Sequence, residues 1–322
     1  MKNMYLTAVL GLLILAGCSN NSDYEGPDTP GNKAEIWATI SEPLSRVNGT
    51  TWAVGDCIGV SVTNGDKGST NVQYQYSGDM NQPFIATGER NDIYIKGNGT
   101  VELTAYHPYT GNSGIITNLS LTTSSEMQEP AKQSAIDCMF AQATTTRENP
   151  KINFQFTHQM SLLNLDFKYS DGSLPGKVSY TLKGIIIKGS FDTTTGIAVP
   201  NEEAGKENIN REVASSMISS LILFPQTMEE IEVEVVADGI LYQQKIENME
   251  LEATTIHSYT ATMEVDGSGI TISKNGVADW KPGTGGEINS TPDHPSTDTS
   301  AGVSNWGSTG NSQDIKSESA EE

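Results

Sequence analysis

Apolar residues recur every second position through most of this chain. Ile36, Ala38 and Ile40 share one face of a first strand, and Ile58, Val60 and Val62 share one face of a second. A period of two broken by Gly, Asn and Pro is the signature of consecutive strands. The loop between these two strands carries a single arginine, Arg46. Tyr74 and Tyr76 share a face further on, and Phe84–Gly88 is a short strand. Val101, Leu103 and Ala105 alternate until Pro108 stops the pattern. Ile115–Thr122 and Gln133–Gln142 read as two more strands.

The polar stretch Thr144–Pro150 marks the expected boundary between residues 34–150 and 151–280. Just beyond it the pattern has a defect. Ile152, Phe154 and Phe156 hold one parity, whereas Leu163, Leu165 and Phe167 hold the other. One continuous strand would turn its apolar side to water, so Gln159–Leu162 must contain a bulge or a crossing between sheets. Further strands are expected at Val178–Lys188, Ser219–Phe224, Glu230–Val236, Ile240–Ile246 and Ile256–Val265, with a turn or two of helix at Asn208–Met217. Glu230, Glu232 and Glu234 alternate with Ile231, Val233 and Val235, the pattern of a sheet with one wet face. Gly269–Trp280 is a last strand or hairpin. Short strands with frequent turns in both halves predict an all-β protein of two β-sandwich domains. From 281 to 322 hardly any core-forming side chain remains, and a disordered polar tail is expected.

The first eighteen residues have a different character. Lys2 precedes an apolar run, Leu6–Leu15, too short to span a bilayer comfortably, and Leu15-Ala16-Gly17-Cys18 follows. This resembles the bacterial lipobox, which implies cleavage before Cys18 and acylation of that cysteine. Residues 19–33 then read as a Pro/Gly/Asp tether. Export to an oxidising compartment would leave Cys57 and Cys138 either as a disulfide or as two buried thiols.

The formal net charge of −21 excludes nucleic acid and a polybasic membrane contact, both of which require clustered Lys and Arg. No nucleophile elbow, zinc-protease motif, phosphate loop or dinucleotide fingerprint is present. His107, His158, His257 and His294 are scattered without ligand spacing, so neither a metal, a cofactor nor enzyme activity is expected. Trp52 and Trp280 have the chemistry to stack on a sugar, but a solitary tryptophan more commonly anchors a core.

Several stretches in order carry a family resemblance: SRVNGTTWAVGDCIGVSV, FIATG, VELTAYHPY, AIDCMFAQ, INFQFTHQMSLLNLDF and IHSYTATMEV. Together, from about Ala34 to Trp280 and beneath a lipobox, they resemble the fimbrillin family of Bacteroidetes surface lipoproteins, in its Mfa-like branch. The resemblance implies two transthyretin-like Greek-key β-sandwich domains. It also implies a subunit that reaches the outer membrane as a lipoprotein and is cut in the loop after its first strand, here after Arg46. Ile36, Ala38 and Ile40 would then be a removable plug, replaced by a strand from another fimbrial subunit. Only Ile270, Ile272, Val277 and Trp280 have donor chemistry, and only if they are not already part of the second domain. The alternatives are a fimbrial base anchor or a surface glycan- or protein-binding lipoprotein that never polymerises.

Overall fold

Alternation of apolar and polar side chains becomes twenty strands in a computed structural model describing residues 31–41, 51–64, 69–87, 92–112, 114–115, 118–214 and 218–280. In chain order they begin with β1 (Asn32–Lys33), β2 (Glu35–Ile40), β3 (Cys57–Val62), β4 (Val72–Gln75) and β5 (Ile85–Ala86). Next come β6 (Tyr94–Ile95), β7 (Val101–His107), β8 (Leu119–Thr122), β9 (Met139–Thr145) and β10 (Lys151–His158). They continue with β11 (Ser161–Tyr169), β12 (Lys177–Ile185), β13 (Lys188–Asp192), β14 (Ile197–Pro200) and β15 (Glu207–Ala214). The last are β16 (Ser219–Leu223), β17 (Gln226–Ala237), β18 (Ile240–Leu251), β19 (Thr255–Met263) and β20 (Ile270–Asp279). Regular helix among the described residues amounts to short 3-10 turns at Gln133–Ala135 and Glu202–Ala204. The protein is all-β.

The first sheet runs β2-β10-β9-β7-β3-β4-β5. Its two ends meet, because Phe84, next to β5, bridges Ile36 of β2 and donates its backbone N–H to the Ile36 carbonyl at 2.8 Å. The sheet therefore rolls around its own core, which gathers Ile36, Ile58, Val60, Tyr74, Leu103, Ile152, Phe154 and Phe156. The second region pairs two four-stranded sheets, β16-β11-β19-β20 and β15-β12-β17-β18, as a sandwich over Leu163, Leu165, Phe167, Val233, Val235 and their neighbours. A third cluster, with Tyr106, Cys138, Phe140, Met160, Leu162 and Trp280, joins residues from both regions. The three-stranded sheet β14-β13-β8 flanks it, contributing Phe191 and Ala198.

The parity defect at Gln159–Leu162 is a crossing between sheets. β10 pairs with β2 and β9, whereas β11, three residues later, pairs with β16 and β19. Both parities of β11 are buried: Leu163 and Leu165 face the sandwich core, and Leu162 faces the joining cluster. The expected division at residue 150 thus falls inside the first sheet, between its neighbours β9 and β10. The polar stretch 144–150 is a strand end and turn, and the change of sheet comes at Gln159–Met160.

Other expectations shift for similar reasons. Asn32 and Lys33, read as the end of the tether, pair with Ile95 and Tyr94, and Lys33 is tied to Asp92 by a 2.6 Å ion pair. Asn208–Met217, read as helix, is mostly β15, with Ile209 buried against the core and the strand paired along β12. The polar letters between the apolar positions are its wet face. Gln133–Gln142 is not one strand but a 3-10 turn followed by β9. The tail after Trp280 lies outside the described residues.

Candidate functional site

The first strand sits in a slot with a defined register. β2 runs parallel to β10, Ile36 beside Ile152, Ala38 beside Phe154 and Ile40 beside Phe156. Glu35 N–H donates to the Pro150 carbonyl at 3.0 Å, and Ser41 N–H to the Phe156 carbonyl at 2.9 Å. Ile36 and Ile40 are buried, and Ala38 is half-buried against the same core. Burying two isoleucines in this way contributes about 1.5–3 kcal/mol each. The outward residues are less regular: Glu35 and Thr39 are exposed, and the Trp37 ring lies under the Lys151 ammonium, 4.6 Å from its centroid.

Three groups outside β10 also grip the strand. Ala34 N–H donates to the Ile93 carbonyl at 2.9 Å, while the Ile93 N–H donates to the Tyr74 hydroxyl at 2.9 Å. Burial pushes the Tyr74 phenol well above its usual range, so it stays neutral and able to accept that bond. Phe84 closes the far side at Ile36. Trp52, fourteen residues along the chain from Ala38, donates its indole Nε1–H to the Ala38 carbonyl at 2.9 Å. The same indole meets Phe84, His107 and Phe156 edge-on, with centroids 5.5, 5.4 and 5.2 Å away. The period of two located β2, but nothing in it identified Trp52 as the strand's hydrogen-bond donor. A tryptophan shortly after a loop is too common to carry that meaning.

The remaining expected site residues separate. Cys18 and Arg46 lie outside the described residues. Ile270, Ile272 and Val277 lie in β20, and Trp280 directly follows it. β20 is antiparallel to β19 along its length, Ile270 is in the sandwich core and Ile272 packs against it. Trp280 is 3% exposed in the joining cluster, and only Val277, 46% exposed, faces outward. Ile270, Ile272 and Trp280, three of the residues that suggested a donor, are packed against this protein's own core.

Cys57 and Cys138 are two free thiols, not a disulfide. Cys57 belongs to β3, where its Sγ accepts from Gln73 Nε2 and contacts the Gly55 carbonyl. Cys138 is enclosed in the joining cluster, and burial pushes its thiol pKa far up. β7 lies between β3 and β9, which keeps the two regions of chain apart. Both histidines with aromatic neighbours are structural: His107 Nδ1 bonds the Cys57 carbonyl, and His158 Nδ1 bonds Asp137 at 2.8 Å. Among the described residues no group of three His, Cys, Asp or Glu is arranged to hold a metal ion.

Comparison with known proteins agrees with this architecture. A family model described as fimbrillin-like matches residues 45–280. A candidate fimbrium subunit of Bacteroides uniformis, Fim1C, is 24% identical over 309 residues, covering 88% of this chain and 97% of that protein. The crystal structure of a candidate cell adhesion protein from Bacteroides ovatus is 30% identical with a TM-score of 0.67, covering 78% of this chain and 98% of that one. A second such structure, from Bacteroides uniformis, shares the fold at 19% identity and a TM-score of 0.63, covering 77% and 99%. With the family match spanning most of its length, the chain belongs to the fimbrillin-like family.

Proposed function

We propose that this protein is a fimbrial subunit serving cell adhesion, exported as a lipoprotein on Cys18 and matured by cleavage after Arg46. On this reading the cut frees the chain from Cys18 to Arg46, including β2, and a strand from another subunit takes its place. The observation that carries the reading is β2 itself. It lies parallel beside β10, with Ile36 and Ile40 in the core, immediately before the segment that holds Arg46. Removing such a strand bares the backbone groups of β10 and apolar pockets for alternate side chains, the requirements for accepting a strand. The family match, starting at residue 45, leaves β2 outside it. The relatives named for fimbriae and cell adhesion support the same assignment, and the family is one of structural subunits, not of enzymes.

The pairing of β20 favours a particular place in the fibre. With its apolar strand committed to β19, this subunit accepts a strand without offering one of its own from 270–280. It would stand at a tip or a base, and a base anchor would retain both its lipid and β2. The tryptophans give little support to a sugar platform, since Trp280 is buried and Trp52 is engaged with Ala38.

N-terminal sequencing and mass measurement of the protein from the native cell surface test this directly. A chain starting at Val47 without lipid supports maturation at Arg46, and Arg46→Ala should then block assembly while leaving the precursor folded. A chain starting at acylated Cys18 removes cleavage and leaves a base anchor or a stand-alone lipoprotein.

A further inference from the structure

We infer that Trp52 is the residue that fixes the register of the strand in the slot, and that the slot accepts a segment running parallel to β10 that is small at the Ala34 position and apolar at the Ile36 and Ile40 positions. The inference rests on the reading above, that the slot changes occupant. Its basis is the set of contacts β2 makes. Ala34 is 2% exposed and enclosed, so a larger side chain there would overpack the core. Ile36 and Ile40 fill the first and last apolar positions, with Ile40 beside Phe156. Between them Ala38 presents its carbonyl to the Trp52 indole.

Trp52 suits this role because it does not belong to β2 or to β10. It follows the segment between β2 and β3, and its ring is wedged edge-on against Phe84 and Phe156, on opposite sides of the strand. The indole N–H consequently points at one fixed place along the slot. A strand shifted by one residue would bring its other face inward. It would also bring a different backbone group to the indole, which can only donate. β2 itself runs parallel to β10, in register over Lys151–Phe156, and the proposed occupant takes the same direction.

Within residues 281–322 no two Ile or Val residues stand four apart, so the chain's own tail cannot satisfy the pattern. The occupant is therefore an extended segment of a different subunit, small at the Ala34 position and apolar at the Ile36 and Ile40 positions.

The test uses the full chain and its W52F variant, which keeps an aromatic ring but no N–H. Deuterium exchange is followed over residues 35–41 and over β17–β18. Each protein is also cut after Arg46 through a protease site placed there, and incubated with a fluorescent synthetic peptide of residues 34–41 or its Ala34→Leu version. Loss of one hydrogen bond should speed exchange over 35–41 about fivefold, leaving β17–β18 unchanged. The native peptide should be taken up, faster by W52F, with the Ala34→Leu peptide at least about tenfold poorer because its side chain has no space. Unchanged exchange over 35–41 in W52F overturns the role of Trp52. Equal uptake of the two peptides overturns the side-chain rule. No uptake of either peptide, with exchange accelerated in W52F, rejects an exchangeable strand and leaves Trp52 as the lock of a permanent one.

Discussion

His158 and Trp280 stack face to face, their ring centroids 4.1 Å apart and their planes 7° from parallel. The pair joins the crossing between the two main sheets to the end of the last strand. His158 is the final residue of β10, and Trp280 follows β20. Asp137 holds the imidazole through Nδ1, so the ring cannot turn away from the indole. Trp280→Ala should therefore cost about 3–5 kcal/mol, the usual penalty for truncating a buried aromatic. Urea denaturation at constant pH measures it, and a loss under ~1 kcal/mol would show that the stack is incidental.

His257 predicts a pH dependence. Burial, assisted by the Lys274 charge, lowers its pKa below the ordinary 6.5, against an opposing pull from Glu250. Its Nε2 accepts the Glu252 N–H at 3.1 Å, which requires the neutral ring. A depressed folded-state pKa means that the unfolded chain binds the proton first, so stability rises with pH through this window. The contribution is whole above 6.5 and is lost as pH falls through the lower, folded value. His257→Gln should flatten that part of the stability profile, and a profile unchanged below pH 6.5 would remove His257 as its cause.

The two thiols should behave differently. In a chain carrying Cys18→Ser, Cys57 is half-buried and Cys138 is enclosed. An aromatic disulfide reagent should label Cys57 in the native state and Cys138 only after unfolding, because the thiolate is the reacting form. Native material that shows no free thiol would contradict the separation of β3 from β9.

Gly59 is required for space. A Cβ there would lie 2.3 Å from Tyr106 Cε1 and 2.5 Å from Asn71 Oδ1. Those two side chains are bonded to each other at 2.8 Å, so neither can give way freely. Gly59→Ala should destabilise by about 1–3 kcal/mol, the range for overpacking. Thermal unfolding with a midpoint unchanged from the parent would show that the cluster yields.

Much of this molecule is written in its alternation. Ile36, Ile58, Val60, Leu103, Ile152 and Phe154 were identified as inward-facing by parity alone, and all are buried. The defect between Phe156 and Leu163 demands a bulge or a crossing between sheets, and the fold supplies the crossing. The all-β class follows from the same pattern, because a strand has only two faces and burial must choose one. Parity does not say which strand lies alongside. That β2 pairs with β10, that β10 belongs to the first sheet, and that β20 is committed to β19 depend on contacts between residues far apart in sequence. Nor does a local pattern direct the Trp52 indole to Ala38 or lay Trp280 on His158. Alternation thus tells which side of each strand is dry. The neighbours emerge with the assembled core, because backbone hydrogen bonds pair any two strands alike and the fit of side chains across the whole core selects among them.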